Sequence, residues 1–248
     1  MEHKIITLPA AHFRKIAREK LKENWLRVMA ACLIYTIIMS AMSIVIFLMT
    51  QAGRSNVGML GSLYYLLVYG PAGLGFASYI LKFSRGEKPE ALEVFSGFER
   101  FLPAFFLGFL ILLFSALWSL LFLIPGVIAM YRYSMAFYIM HDCPEFEAGR
   151  CLDESKKLMI GNKMKLFMLH LSFLGWILAA LIAGAVIGGL MGLVFPAFLS
   201  ESVLYVLSAV VGIVIGTGVV AYMQMATAAF YEELTGKTEQ KQNFETFC

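Results

Sequence analysis

The sequence predicts an all-α, polytopic membrane protein: six transmembrane helices with about three amphipathic helices on the cytoplasmic surface. Three observations carry that expectation. Sixty per cent of the 248 residues are hydrophobic and only 15% are charged, against about a quarter charged in soluble globular chains. Six apolar stretches are long enough to cross a hydrocarbon core of about 30 Å. Of the 20 Lys and Arg residues, all but Arg54 and Arg132 fall on one side of those stretches, and an excess of cations marks the cytoplasmic side. Both termini are therefore expected inside, at a plasma membrane. Residues 1–235 form a single membrane domain, and the polar tail 236–248 is expected to be disordered.

Residues 10–24 set Phe13, Ile16, Ala17, Leu21 and Trp25 on one helical face and Arg14, Lys15, Arg18 and Lys22 on the rest. That pattern predicts a basic amphipathic helix on the inner leaflet. No apolar core of 7–15 residues with a small-residue cleavage site precedes it, so the first span is expected to act as its own insertion signal. Span 1 runs from about Trp25 to Met49, and the outer loop to Val57 carries only Arg54. Span 2, about Gly58 to Phe83, contains Gly70-Pro71, which predicts a kink. Ala91, Leu92, Phe95 and Phe98 follow Pro89 at helical spacing and predict a second surface helix.

Span 3 covers about Phe101 to Ile124, and Ile124-Pro125-Gly126 reads as a tight outer turn into span 4, Val127 to Met140. A third surface helix is expected from Pro144, capped by Asp142, with Ala148, Cys151, Leu152, Ser155 and Met159 on one face and a stop at Gly161. The apolar run Leu166 to Leu199 measures about 50 Å as a straight helix. Span 5 must therefore tilt or break, Gly188-Gly189 being the expected break. Span 6 runs from Val203 to about Tyr231. Three times the chain repeats surface helix, span, outer turn and returning span. Each returning span holds Gly or Pro and ends in aromatics, at Tyr79–Phe83, Phe137-Tyr138 and Phe230-Tyr231.

The blocks Leu117-Trp118-Ser119-Leu120-Leu121 through Ile124-Pro125-Gly126, Tyr133-Ser134-Met135, Ser155-Lys156-Lys157-Leu158-Met159 with Gly161-Asn162-Lys163, and Leu171-Ser172-Phe173-Leu174-Gly175-Trp176 are distinctive. With Gly70-Pro71 and Phe230-Tyr231 they resemble bacterial integral membrane proteins of the domain-of-unknown-function family 975. The resemblance covers about residues 10–235 and implies a plasma membrane but no agreed activity. That family is also similar to the membrane-embedded portion of some glycerophosphodiester phosphodiesterases.

Chemistry-bearing motifs are sparse. None of the 17 carboxylates falls inside an expected span, which counts against a proton-coupled carrier. The four histidines form no HExxH, and neither a P-loop lysine nor a GxGxxG is present. Glu232-Glu233 lacks the Arg and His residues that an intramembrane protease of that pattern needs. Neither an enzyme nor a nucleic-acid binder is expected, and no cofactor or metal. Cys143, Cys151 and Cys248 are expected to stay reduced. His170 is expected to bond a neighbouring carbonyl, and Gln224 to bond across helices.

Two features remain as candidate sites. Ala180, Gly184, Gly188 and Gly192 form a small-residue ridge on span 5, and Ser208, Gly212 and Gly216 another on span 6, a pattern that lets helix backbones approach. Arg132, seven residues in from Pro125, is expected about 10 Å deep. It reads either as a snorkelling structural cation or as a contact for an anion or a lipid. The leading functional expectation is a non-enzymatic, membrane-embedded binding or accessory protein, with the lipid bilayer and a membrane-protein partner or second copy as its partners. The alternative is a transporter or channel-like protein for a small or amphiphilic solute. Single cysteines introduced at Arg54 and Glu201 are expected to label from outside, with Lys88, Lys157 and Lys237 protected. External labelling at Lys157 overturns the six-span topology.

Overall fold

A computed structural model describes residues 5–51, 58–194 and 201–236. It is all-α, with no strand among the described residues and six helices long and apolar enough to cross a membrane. The chain is a multi-pass membrane protein. Its helices are α1 (Ala10–Leu21), α2 (Trp25–Gln51), α3 (Gly58–Ser84), a 3-10 helix (Ala91–Phe98), α4 (Phe101–Leu121), α5 (Leu123–Tyr133), α6 (Ala136–Asp142), α7 (Ala148–Leu158), α8 (Lys163–Leu171), α9 (Leu174–Val194) and α10 (Glu201–Leu234). The tail from residue 237 and the loop around Arg54 lie outside the described residues, as do the surroundings of Gly192 and Ser208.

The threefold repeat becomes a ring. Unit I is α1, α2 and α3; unit II is the 3-10 helix with α4, α5 and α6; unit III is α7 to α10. Each short leading helix packs on the preceding unit: the 3-10 helix on α2 and α3, α7 on α4, α5 and α6, and α1 on α8 and α10. Each returning helix also meets the outgoing helix of the next unit, α3 with α4, α5 with α8, and α10 with α2. The ends of the returning helices converge at the centre, where Tyr138 and Tyr231 stack at 5.2 Å. They share an Ala-x-Tyr signature, Ala77 to Tyr79, Ala136 to Tyr138 and Ala229 to Tyr231, all six residues buried.

Burial divides the molecule along its length. From Gly70 to Ser84 nearly every α3 residue is buried, as is α10 from Tyr222 to Tyr231 apart from Met223 and Gln224. At the other end large apolar side chains stand exposed, among them Leu120 to Ile124 at the α4–α5 hairpin and Leu178 to Ile182 on α9. A multi-pass protein presents such surface to lipid, where it carries no penalty.

Several sequence expectations are corrected. The first and third surface helices do not offer their apolar faces to a leaflet, because protein covers them. Phe13, Ala17 and Leu21 of α1 are buried, with the Phe13 ring 5.3 Å from Phe230. Cys151, Leu152 and Ser155 of α7 are buried too. The second surface element is a 3-10 helix, in which residues i and i+3 eclipse. Its Val94–Gly97 row is buried and packs on α3, whereas Leu92 and Phe95 point outward.

The outer turn before α5 is the single extended residue Phe122, and Pro125 and Gly126 sit in the first turn of α5. A proline fits there because first-turn N–H groups have no helical partner. Gly126 is needed for close approach: a Cβ there would overlap Ser119 of α4. Span 5 breaks at Ser172-Phe173, not at Gly188-Gly189, through which α9 runs on. Asp142 does not cap α7; that N-cap is Glu147, with no side-chain cap bond. Gly161, with φ of +71°, ends the segment after α7 as expected.

Among the described residues, close backbone contacts gather along α3. A Cβ on Gly70 would overlap the Ala104 carbonyl of α4, and one on Gly75 the Val94 carbonyl of the 3-10 helix. A Cβ on Gly97 would strike the α3 backbone at Pro71 and Gly75, and one on Gly108 the backbone of Gly70. So Gly70-Pro71 is the point where α3 seats against α4, and α3 continues through it. Backbone cannot yield as a flexible side chain does. Gly75→Ala and Gly97→Ala are each expected to destabilise by about 1–3 kcal/mol, while Gly212→Ala, which meets nothing within 4 Å, melts like the parent in detergent. Equal melting of all three refutes the α3 seam.

Candidate functional site

Two polar centres lie at the charged end. The first is enclosed where the returning helices end. Arg85, just past α3, grips Asp142 of α6 two-pronged, at 2.8 and 3.0 Å. Tyr231 of α10 donates to the same carboxylate at 2.8 Å. Beside it Glu232 accepts from Lys20 of α1 at 3.0 Å and from Ser84 of α3 at 2.8 Å, and Lys20 also donates to Ser84. The Arg85 Nε lies 3.8 Å from Glu232.

Two cations therefore balance two carboxylates, and both carboxylate residues are buried at 8% exposure. Burial pulls the Arg85 guanidinium down, but the bond and charge of Asp142, with the charge of Glu232, outweigh it, so its pKa ends above the ordinary value. Sequence reasoning passed this centre over, since Asp142 and Glu232 stand at helix ends. The Ala-x-Tyr repeat beside them is the signal that could have found it.

The second centre contains Arg132. It is not isolated. α5 has 11 residues, about 16 Å, and the chain breaks after Tyr133, so Arg132 sits in the last turn of a short helix. There it lines a cavity of about 470 Å³ with Asp153, Lys156 and Lys157 of α7, Ile160, and Lys163 of α8. Lys156 pairs with Asp153 at 2.7 Å and Lys157 with Glu154 at 2.6 Å. Among the described residues no ion pair is found for Arg132 or Lys163.

α7 is fixed over this cavity by one hydroxyl. Ser155 Oγ donates to the Arg132 carbonyl at 2.9 Å and accepts from the Met135 N–H at 3.3 Å, satisfying both backbone groups freed by the α5–α6 break. Asn162 works similarly nearby, accepting from the Ile6 N–H and donating to the Leu158 carbonyl.

Among the described residues, the predicted small-residue ridges approach at Gly184 and Gly212. A Cβ on Gly184 would lie 3.7 Å from the Gly212 Cα. Gly184, Gly188, Gly212 and Gly216 otherwise line an apolar groove of about 730 Å³ between α9 and α10. His170 bonds no carbonyl. It bridges Tyr131 at 3.3 Å and Thr227 at 3.0 Å. Since the Thr227 hydroxyl donates to the Met223 carbonyl, the ring proton belongs on Nε2. Gln224 makes no hydrogen bond among the described residues. Cys143 is disulfide-bonded, against the reduced state expected of it. Cys151 is a free thiol, pushed up to about 11 by burial, and stays protonated at neutral pH.

The family described as "Protein of unknown function (DUF975)" matches residues 8–131 and 120–238. The chain belongs to this family. The two DUF975 segments together take in all three units of the ring and both polar centres. No curated protein and no solved structure matches the chain.

Asp142→Asn in this DUF975 protein leaves the Arg85 guanidinium, 23% exposed, beside a neutral amide, and is expected to destabilise by about 2–3 kcal/mol. Glu93→Gln breaks the Lys82 pair, whose side chains are 35% and 36% exposed, and is expected to change stability by under about 1 kcal/mol. Thermal unfolding in detergent compares them; equal effects mean that the central quartet does not hold the ring.

Proposed function

We propose that this protein is a non-enzymatic, membrane-embedded binding protein of a bacterial plasma membrane that holds the anionic headgroup of a lipid in the Arg132 cavity. In this reading the charged end and both termini face the cytoplasm, and the cavity opens at the level of the inner leaflet. The observation that carries it is the convergence of Arg132, Lys156, Lys157 and Lys163 around one cavity with Asp153 as the only carboxylate lining it. Lys156 and Lys157 already have carboxylate partners; Arg132 and Lys163 supply the uncompensated charge, and a planar guanidinium suits two-pronged recognition of phosphate. The other polar centre is charge-balanced and enclosed, which suits a structural role.

The alternative, a carrier for an amphiphilic solute, draws support from the apolar groove between α9 and α10. It predicts a substrate-dependent uptake or efflux defect on deletion.

The test uses the full chain in nanodiscs of phosphatidylcholine with and without phosphatidylglycerol. Phosphatidylglycerol is expected to raise the unfolding midpoint of the parent. Arg132→Gln is expected to remove about 1 kcal/mol of that gain, with Arg132→Lys keeping most of it. If the parent responds equally to both lipids, or if Gln matches Arg, the headgroup reading fails.

A further inference from the structure

A second cavity, lined by no charged side chain, opens on the other side of α5. It measures about 390 Å³ and lies among α3, α4 and the α5–α6 break, within the range of about 300–1,000 Å³ for small-molecule sites. Six hydroxyl-bearing residues line it: Tyr65, Tyr69, Ser115, Ser119, Tyr133 and Ser134. Its aromatic wall is ordered, with Tyr65 and Tyr69 stacked at 5.5 Å and Tyr69 edge-on to Phe137 at 5.9 Å.

The state of those hydroxyls is what distinguishes the cavity. A hydroxyl within a membrane span normally satisfies itself on the carbonyl one turn back, as Thr36, Ser40, Thr50, Thr217 and Thr227 do here. Around the cavity only Ser134 does so, on the Tyr131 carbonyl at 2.9 Å. Tyr65, Tyr69, Ser119 and Tyr133 make no hydrogen bond among the described residues, and Ser115 Oγ is fully buried without a partner. Unpaired hydroxyls away from water carry a free-energy penalty, which a hydroxylated occupant relieves. The mouth is formed by the exposed residues Tyr65, Ala116, Ser119 and Met130, on apolar helices. It therefore opens sideways, toward lipid.

We propose that this cavity binds a neutral polyhydroxylated group, of the size of one sugar ring or a glycerol unit. Hydroxyls that both donate and accept match such a group. The absence of lining charge disfavours an ionic solute, so this site is distinct from the basic cavity and does not rest on the headgroup reading. The group reaches it on a lipid or as a free solute.

The experiment takes the full chain in phosphatidylcholine nanodiscs with three probes: glucosyl-diacylglycerol, the same diacylglycerol without sugar, and methyl glucoside in the buffer. Binding is read by retained ligand in native mass spectrometry and by the unfolding midpoint. Glucosyl-diacylglycerol is expected to bind and the plain diacylglycerol not. Binding of methyl glucoside as well identifies a free solute as an occupant; binding of the glycolipid alone identifies a lipid. Tyr69→Phe with Ser115→Ala keeps the ring and the helix and is expected to weaken binding about tenfold. Ser115→Ala without ligand is expected to melt no lower than the parent, since it deletes an unpartnered hydroxyl. Failure of both sugar probes to exceed the plain lipid, or parent-like binding by the double variant, overturns the proposal.

Discussion

Two buried carboxylates, Asp142 and Glu232, set the terms for everything around them. A carboxylate removed from water is tolerated only when cations and hydrogen bonds replace the lost hydration. Here the replacements come from three places far apart in sequence: Lys20, Ser84 with Arg85, and Tyr231. Each unit of the ring must be in place before the quartet is neutral. Lys20 matters most for closure, because it carries unit I across to the last turns of unit III. A lipid environment supplies no hydrophobic force to pull helices together, so the specificity of a polar centre and the packing of backbones must do so.

The backbone part is concentrated on α3. Its Gly70 and Gly75 accept α4 and the 3-10 helix at distances that no side chain permits, and Gly97 and Gly108 reciprocate. α3 thus touches the outgoing helix of its own unit, three elements of the next (the 3-10 helix, α4 and α6), and α10 of the third. The glycines of α9 and α10 have the opposite consequence. There, Gly184, Gly188, Gly212 and Gly216 line an apolar groove, so the same residue type gives a close backbone seam in one place and lines a groove in another.

Helix number and class were legible because span length and hydropathy are set by the bilayer, a constraint that acts on sequence directly. The threefold repeat was legible for the same reason, through its aromatic endings. What periodicity could not reveal is which medium an apolar stripe faces. Phe13, Ala17 and Leu21 make the same stripe whether lipid or α10 covers it, and only the ring closure decides. The breaks at Ser172-Phe173 and Ser134-Met135 carry no Gly or Pro. One hydroxyl, Ser155, satisfies the second break from another unit, and no local pattern announces such a partner. Arg132 was recognised as a singular cation, but its lysine neighbours come from α7 and α8, which no spacing within α5 could reveal.

That break governs both proposed sites. Just before it, consecutive residues of α5 face different surroundings, as neighbours about 100° apart on a helix do: Arg132 lines the basic cavity, and Tyr133 the hydroxyl-lined one. Lys156 joins the two, lining the first while its ammonium lies 5.9 Å from the Tyr133 and Phe114 rings. A continuous α5–α6 helix would need no Ser155 to satisfy its backbone, and α7 would lose the bond that seats it over Arg132. The two pockets thus share one structural cause, a short helix whose loose end is held by a neighbouring unit.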